Sequence, residues 1–432
     1  MNGTTGLRLG LCAAVLIAPV AGTACHESPV SPVNRAVTVL TPLAWAASAV
    51  VFRVSGLTGA DTLPVLVIGR DTVAVRFAAP DSLIAMAPDT QGTFAVYLGM
   101  RGRALLPAGS IQLAGGFSGV WTPPANIGGH SVPWPGSPQT SFAIALDSGL
   151  AIVDPRLHTL QRVLPRSAFD ITCMNGAGPA ARGRITAGTC GTTVALRPDS
   201  PSVAPDTDPI AGGRFAAELA TGRWLVALHH GVSSYRRDSA AGWVTATTPY
   251  QVEEPYEVVV SPRGDRAVAL GRDNAGIGMP VFGLASAEPV YLLAQYHRLA
   301  GAQFSANGDT LFVAAYLSLS DTAPVLAALN ASDGAVLASA PAWSGAYHVV
   351  LDPGRPWIYL VGHNSGFDPP SLRVYDRATF APIATMAARV PEYLNGDAYP
   401  VFSPAERKLY LVETCSFCSA GPVPIFTFDL MP

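Results

Sequence analysis

The stretch Ser261-Pro-Arg-Gly-Asp-Arg-Ala-Val-Ala269 decides how this chain is read. It pairs a tight turn with an apolar run, and the same arrangement recurs four more times. The other copies are Leu219-Ala-Thr-Gly-Arg-Trp-Leu-Val-Ala227, Ser305-Ala-Asn-Gly-Asp-Thr-Leu-Phe-Val313, Asp352-Pro-Gly-Arg-Pro-Trp-Ile-Tyr-Leu360 and Ser403-Pro-Ala-Glu-Arg-Lys-Leu-Tyr-Leu411. Successive starts lie 42, 44, 47 and 51 residues apart. Pro presets φ for a turn, and Gly, Asn and Asp tolerate the positive φ that closes a hairpin. The apolar runs are only four to six residues long and have period two, which excludes a helical solenoid.

Several copies carry a third run, Leu372 to Asp376 and Ile425 to Asp429. A second turn such as Asn330 to Gly334 then leads to a fourth run, Ala335 to Ala338. Four short strands per unit of about 45 residues describe a propeller blade. One blade cannot bury both faces, so blades cover one another and ring closure removes exposed edges. The turns resemble the once-per-blade "S-P-D-G-x-x-L-y-V" turn of the YVTN and WD-type propeller families. The resemblance covers residues 213 to 432. Upstream, Phe142 to Leu146, Gly149 to Asp154 and Leu160 to Leu164 read as one shortened blade. Residues 167 to 212 supply another. Spread over residues 117–432, seven blades would take about 45 residues each. Trp121 to Gln139, rich in Pro and Gly, is either a linker or an irregular strand that helps close the ring.

Residues 35–116 carry a different pattern. Short β-branched or aromatic runs recur about every ten residues: Ala36 to Leu40, Val50 to Val54, Leu63 to Ile68, Val73 to Phe77, Ser82 to Met86 and Thr93 to Leu98. That spacing describes a small β-sandwich. Thr41-Pro42, Val54-Ser55-Gly56 and Asp81 to Pro88 resemble the motifs of TIG-type immunoglobulin-like domains, which act as spacers or contact modules. The expected fold class is therefore all-β: a seven-bladed β-propeller preceded by a small immunoglobulin-like β-sandwich.

The first residues read as an address. Arg8 is followed by an apolar or small run, Leu9 to Ala24, too short for a comfortable membrane span. Residues 1–24 are thus a secretory signal peptide. Gly22-Thr23-Ala24-Cys25 resembles a bacterial lipobox, which implies lipidation of Cys25 and a tether over residues 25–34. Ordinary cleavage after Ala24 is the alternative. Export makes the remaining cysteines, Cys173, Cys190, Cys415 and Cys418, two expected disulfides. Neighbour pairing is one of three connectivities. Cys415-Ser-Phe-Cys418 could instead be a redox pair or half a metal site.

Hydrophobic residues make up 49% of the 432-residue chain and charged residues 13%, far too apolar for disorder. The net charge of −3 gives no electrostatic case for nucleic acid. The expected partners are a membrane, through the lipid anchor, and an unidentified protein, peptide or glycan. No cofactor is expected.

Blade topology sorts the loops onto two faces. Residues before the first strand and after the second share one face, here called the mouth face. It collects Glu253, Glu254, Tyr256 and Glu257; His297 and Arg298; Trp343, Tyr347 and His348; and Tyr393, Asn395, Asp397 and Tyr399. After the second strands come His229, His230, Arg272, Asp273, Asn274, Tyr316, His363 and Asn364. Polar, aromatic and histidine residues recur there, and functional residues of propellers tend to lie on that face or in the channel. The binding residues selected are Glu253, Glu254, Tyr256, Arg272, His297, Arg298, Tyr347, His348, His363, Tyr393 and Asp397. No phosphate loop, nucleophile elbow or zinc-helix motif occurs in the sequence. The expectation is a non-enzymatic cell-envelope protein that binds through this face. The alternative is a lactonase-, lyase- or quinoprotein-like enzyme at the channel mouth.

Overall fold

The structure is a computed structural model. It describes residues 36–40, 42–55, 64–79, 81–100, 104–123, 127–133, 142–146, 149–154, 159–165, 174–179, 185–189, 193–196, 206–208, 215–218, 224–228, 231–238, 242–245, 252–273, 276–283, 288–363, 370–388, 397–414 and 424–431. Every regular element among them is a β-strand. The expected signal peptide and tether, with Cys25, Cys173, Cys190, Cys415, Cys418 and Tyr393, lie outside the described residues.

Eight strands form the N-terminal unit: β1 (Ala36–Val39), β2 (Leu43–Trp45), β3 (Ala49–Ser55), β4 (Val65–Ile68), β5 (Asp71–Ala79), β6 (Ser82–Met86), β7 (Gly92–Gly99) and β8 (Leu106–Ala114). Their order is β1-β3-β6-β5-β4-β7-β8-β2. The long β5 pairs through its first half with β4 and through its second with β6. Burial alternates along β3, β4 and β6, so one side of each strand faces a shared core of Phe52, Leu66, Leu83, Val96 and Ile111. After Pro42 the chain leaves the β1 edge, and β2 pairs in parallel with β8.

The rest of the chain is a series of antiparallel four-stranded blades. After β9 (Gly116–Trp121), the first holds β10 (Ile127–Pro133), β11 (Phe142–Leu146), β12 (Gly149–Asp154) and β13 (Thr159–Pro165). The next holds β14 (Met174–Pro179), β15 (Ile185–Thr189), β16 (Thr193–Leu196) and β17 (Asp206–Asp208). Then come β18 (Phe215–Glu218), β19 (Trp224–Leu228), β20 (Gly231–Asp238) and β21 (Gly242–Thr245). The strands β22 (Glu253–Val260), β23 (Arg266–Arg272), β24 (Met279–Gly283) and β25 (Glu288–Leu293) follow. They join the next set, β26 (Arg298–Phe304), β27 (Thr310–Tyr316), β28 (Val325–Asn330) and β29 (Val336–Pro341), through a short β23–β26 pairing. The last blades are β30 (Ala346–Leu351), β31 (Trp357–Gly362), β32 (Ser371–Asp376) and β33 (Pro382–Ala387), then β34 (Asp397–Ser403), β35 (Lys408–Thr414) and β36 (Ile425–Asp429).

The five quoted repeats are the hairpins β18–β19, β22–β23, β26–β27, β30–β31 and β34–β35. The last sheet is completed by β9, which pairs antiparallel with β36. Gly116–Trp121, just upstream of the Pro- and Gly-rich stretch, is therefore the strand that joins the two ends of the series. The inner strands approach one another in sequence, β10 to β14, β18, β22, β26, β30 and β34, and β34 returns to β10. Such an arrangement leaves each blade covered by its neighbours, a propeller-like fold. The middle strands β27, β28 and β31 are buried along nearly their whole length, as strands covered on both faces must be.

The two units touch through Trp45. Its ring meets Trp357 edge-on at 4.9 Å and Tyr359 at 6.4 Å, and it is only 3% exposed. Ser48 forms a bridge with Ala384 of β33. Trp357 opens β31 at the turn end of its hairpin. The N-terminal unit is thus seated on the turn side of this blade, away from its mouth end.

Candidate functional site

The site is built at the starts of the inner strands, where three of them depart from regular pairing. The register of β22 on β23 shifts between Glu253 and Glu257, that of β26 on β27 between Leu299 and Gly301, and that of β30 on β31 between Ala346 and His348. A bulge bends its strand and re-aims side chains. On a regular strand Tyr347 and His348 would face opposite sides. Here Tyr347 is the extra residue, and its ring lies 5.3 Å from that of His348.

These distortions gather side chains from separate strands. The Tyr347 hydroxyl hydrogen-bonds His363 Nε2 just beyond β31, and it accepts the Ala398 N–H of β34 at 3.3 Å. The His348 ring lies 4.9 Å from that of Tyr399. His348 Nδ1 also lies 3.9 Å from a carboxylate oxygen of Glu257, on β22. Glu257 and His348 belong to strands on either side of β26. Gly301 of β26 makes the meeting feasible, because a Cβ there would fall 2.7 Å from the His348 Cα. Burial pushes the Glu257 carboxyl up to about 7. Its side chain keeps 26% of its exposure.

Two glycines place His363. The His363 N–H donates to the Gly345 carbonyl at 3.1 Å. A Cβ on Gly345 would overlap the His363 carbonyl, and one on Gly362 would overlap the Gly345 carbonyl. This is the close backbone approach that only glycine permits.

A second group lies at the β23–β26 junction. Arg272 is exposed and sits in register opposite both Glu253 and Arg298. The Arg298 guanidinium stacks 5.0 Å over Tyr316. His297 Nδ1 lies 3.8 Å from the buried Asp273, whose carboxylate accepts the Gly278 N–H. Nearby in the next blade, Arg373 stacks 4.5 Å over Trp343.

The sequence-derived residues therefore divide. Tyr347, His348 and His363 come together, with Glu257 and Tyr399 joining them. Arg272, His297 and Arg298 form the second group. Glu253, Glu254, Tyr256 and Asp397 stand at the mouth ends of β22 and β34. Most lie on the strands themselves rather than in preceding loops, because the inner strands run on through their bulges. Tyr393, His229 and His230 lie outside the described residues. Sequence reasoning missed the role of Gly301, Gly345 and Gly362, since the contact each relieves comes from another strand. Among the described residues, no three His, Cys, Asp or Glu side chains form a group that could hold a metal ion.

The opposite, turn face holds a buried polar network the sequence did not reveal. Asp352 is fully buried and accepts hydrogen bonds from Arg407, the Tyr359 hydroxyl at 2.7 Å and the Gly354 N–H at 2.9 Å. Its two charged members bridge neighbouring blades, as Arg263 and Asp309 do at 2.7 Å between two others.

No protein-family model and no curated protein matches this chain. Among solved structures, a chain from the crystal structure of a mitotic checkpoint complex superposes with a TM-score of 0.55 at 12% identity, covering 73% of this chain and 92% of that one. At that identity the likeness speaks for the fold, and with the sheet order it establishes a propeller-like architecture.

Proposed function

We propose that this chain is a non-enzymatic interaction protein of the cell envelope, which binds a protein, peptide or glycan on its mouth face. The observation that carries the reading is the convergence of Glu257, Tyr347, His348, His363 and Tyr399, from separate strands, at one end of the ring. Aromatic and arginine side chains on a rigid frame are the usual anchors of binding surfaces. Propeller-like folds are suited to this role as interaction scaffolds.

In this reading the ring has seven blades, the last closed by β9, and residues 35–116 form an immunoglobulin-like spacer. The blade count rests on the circuit of inner strands from β10 to β34 and back. The chain is exported and held by a lipid on Cys25. The spacer docks on the turn side through Trp45, so the mouth face would point away from the anchored end. Labelled fatty acid should be incorporated by the wild type and not by Cys25→Ser.

Cross-linking capture from envelope extract tests the binding face. Wild type and the turn-face variant Asp309→Ala should capture the same species, and Tyr347→Ala/His348→Ala should lose it. Equal capture by all three would sink the reading. Catalysis at the channel mouth is a second reading, favoured by the Tyr347–His363 hydrogen bond and by the Glu257 carboxyl, which burial raises to about 7. Turnover of esters, lactones or uronate glycans that is lost in Tyr347→Phe would support it.

A further inference from the structure

We infer that Glu257, Tyr347, His348 and Tyr399 form a binding site for an organic cation, the ammonium or guanidinium of a partner's lysine or arginine side chain. This rests on the mouth face being the binding face and names the chemistry that it selects.

Two observations carry it. Glu257 sets a partly buried carboxylate on an inner strand, and among the described residues its one ionic neighbour is His348, at 3.9 Å. A charge withdrawn from water needs a partner of opposite sign. His348 in turn stands among aromatic rings at steep angles: Tyr347 to His348 at 75° and His348 to Tyr399 at 58°. Rings so arranged make a corner rather than a flat stack. Aromatic faces attract cations, and a carboxylate beside them adds a directed contact.

The raised carboxyl pKa fits this arrangement, since burial is its cause and, among the described residues, no arginine or lysine offsets it. A proton occupies the place that a ligand cation would take. Among the described residues, the titratable groups facing Glu257 are His348 and, beyond it, Tyr347, His363 and Tyr399. Loss of the proton from Glu257 favours the ligand as pH rises.

The test uses the full chain and three probes: Nα-acetyl-lysine amide, Nα-acetyl-arginine amide and the neutral Nα-acetyl-norleucine amide. Saturation-transfer NMR and calorimetry should show saturable binding of at least one cation and none of norleucine. The relative response of the two cations tells ammonium from guanidinium. Affinity should rise about tenfold between pH 6 and pH 8, following ionisation of a group with pKa near 7. Glu257→Gln should weaken binding at least about tenfold at pH 8 and flatten that profile. Tyr399→Phe should retain binding and Tyr399→Ala should lose it. Should Glu257→Gln not fold, the wild-type pH profile decides alone. Silence of both cations up to about 10 mM, or binding indifferent to pH and to Glu257→Gln, overturns the inference. Partner capture that still depends on Tyr347 and His348 while both cations stay silent would sink this inference and leave the mouth-face reading standing.

Discussion

The guanidinium of Arg407 holds the carboxylate of Asp352 through two nitrogens, at 3.0 and 2.7 Å, across the seam between neighbouring blades. Burial alone would raise the Asp352 pKa. Hydrogen bonds from Arg407, Tyr359 and Gly354 outweigh it and leave the carboxyl below its ordinary value. The pair's stability is therefore present above the unfolded carboxyl pKa and is lost as pH falls through the folded one. Arg407→Leu strands a buried charge and should cost about 3 kcal/mol in urea unfolding at pH 7. Adding Asp352→Asn should restore part of that loss. Strict additivity of the two changes would show that they do not act as a pair.

Glu257 has the opposite sign. Its carboxyl is raised from 4.5 to about 7, so the folded state binds the proton more tightly than the unfolded state does. Stability from this group is full below pH 4.5 and is lost as pH rises to about 7. Glu257→Gln, which keeps the shape and cannot ionise, should therefore be more stable than wild type at pH 8. At pH 5 the two should unfold alike. A thermal-shift series across that range reads the difference, and a gap that widens toward acid would contradict the assignment.

Gly345 and Gly362 should be intolerant for a reason unconnected with turns. Gly345→Ala must push back the His363 carbonyl, which moves the His363 ring from the Tyr347 hydroxyl. Overpacking of this kind costs about 1–3 kcal/mol. Histidine ring NMR signals should report loss of the hydrogen bond even where the fold survives. Unchanged His363 signals in Gly345→Ala would mean that the hairpin can spread at no cost.

These cases mark what a single sequence can convey. The turn at Ser261 to Gly264 and its four counterparts were readable because turn chemistry is local, and each does connect a hairpin. The pairing of β9 with β36 was not, since it joins residues some 300 positions apart and depends on register. The mouth-end placement of Tyr347 and His348 followed from strand direction alone. Their meeting with Glu257 needed a bulge at Tyr347 and the absence of a side chain at Gly301, and neither leaves a pattern along the chain. Asp352 looked like a turn residue, because its partner Arg407 belongs to the next repeat.

Trp45 offers the sharpest test of how the two units are coupled. It belongs to the N-terminal strands by sequence, yet it shares an apolar cluster with Tyr359, Leu372, Phe426 and Phe428 of the ring. One residue, Gly115, separates β8 from β9, so the N-terminal unit meets the strand that completes the last blade with no slack. Gly115 has φ +77°, and a Cβ there would lie 2.3 Å from the Trp45 ring. Trp45→Ala should remove about 3–5 kcal/mol of packing from this junction. Gly115→Ala should dislodge the same ring by a different route, through strain and collision. Both variants should raise amide hydrogen exchange along β2 and β9, and should split one cooperative thermal transition into two. Because β9 closes the last blade, loosening at Trp45 should reach β36 before it reaches β27 or β28 in the middle of the series. Exchange that rises in the N-terminal unit alone would show that Trp45 covers the ring without bracing it.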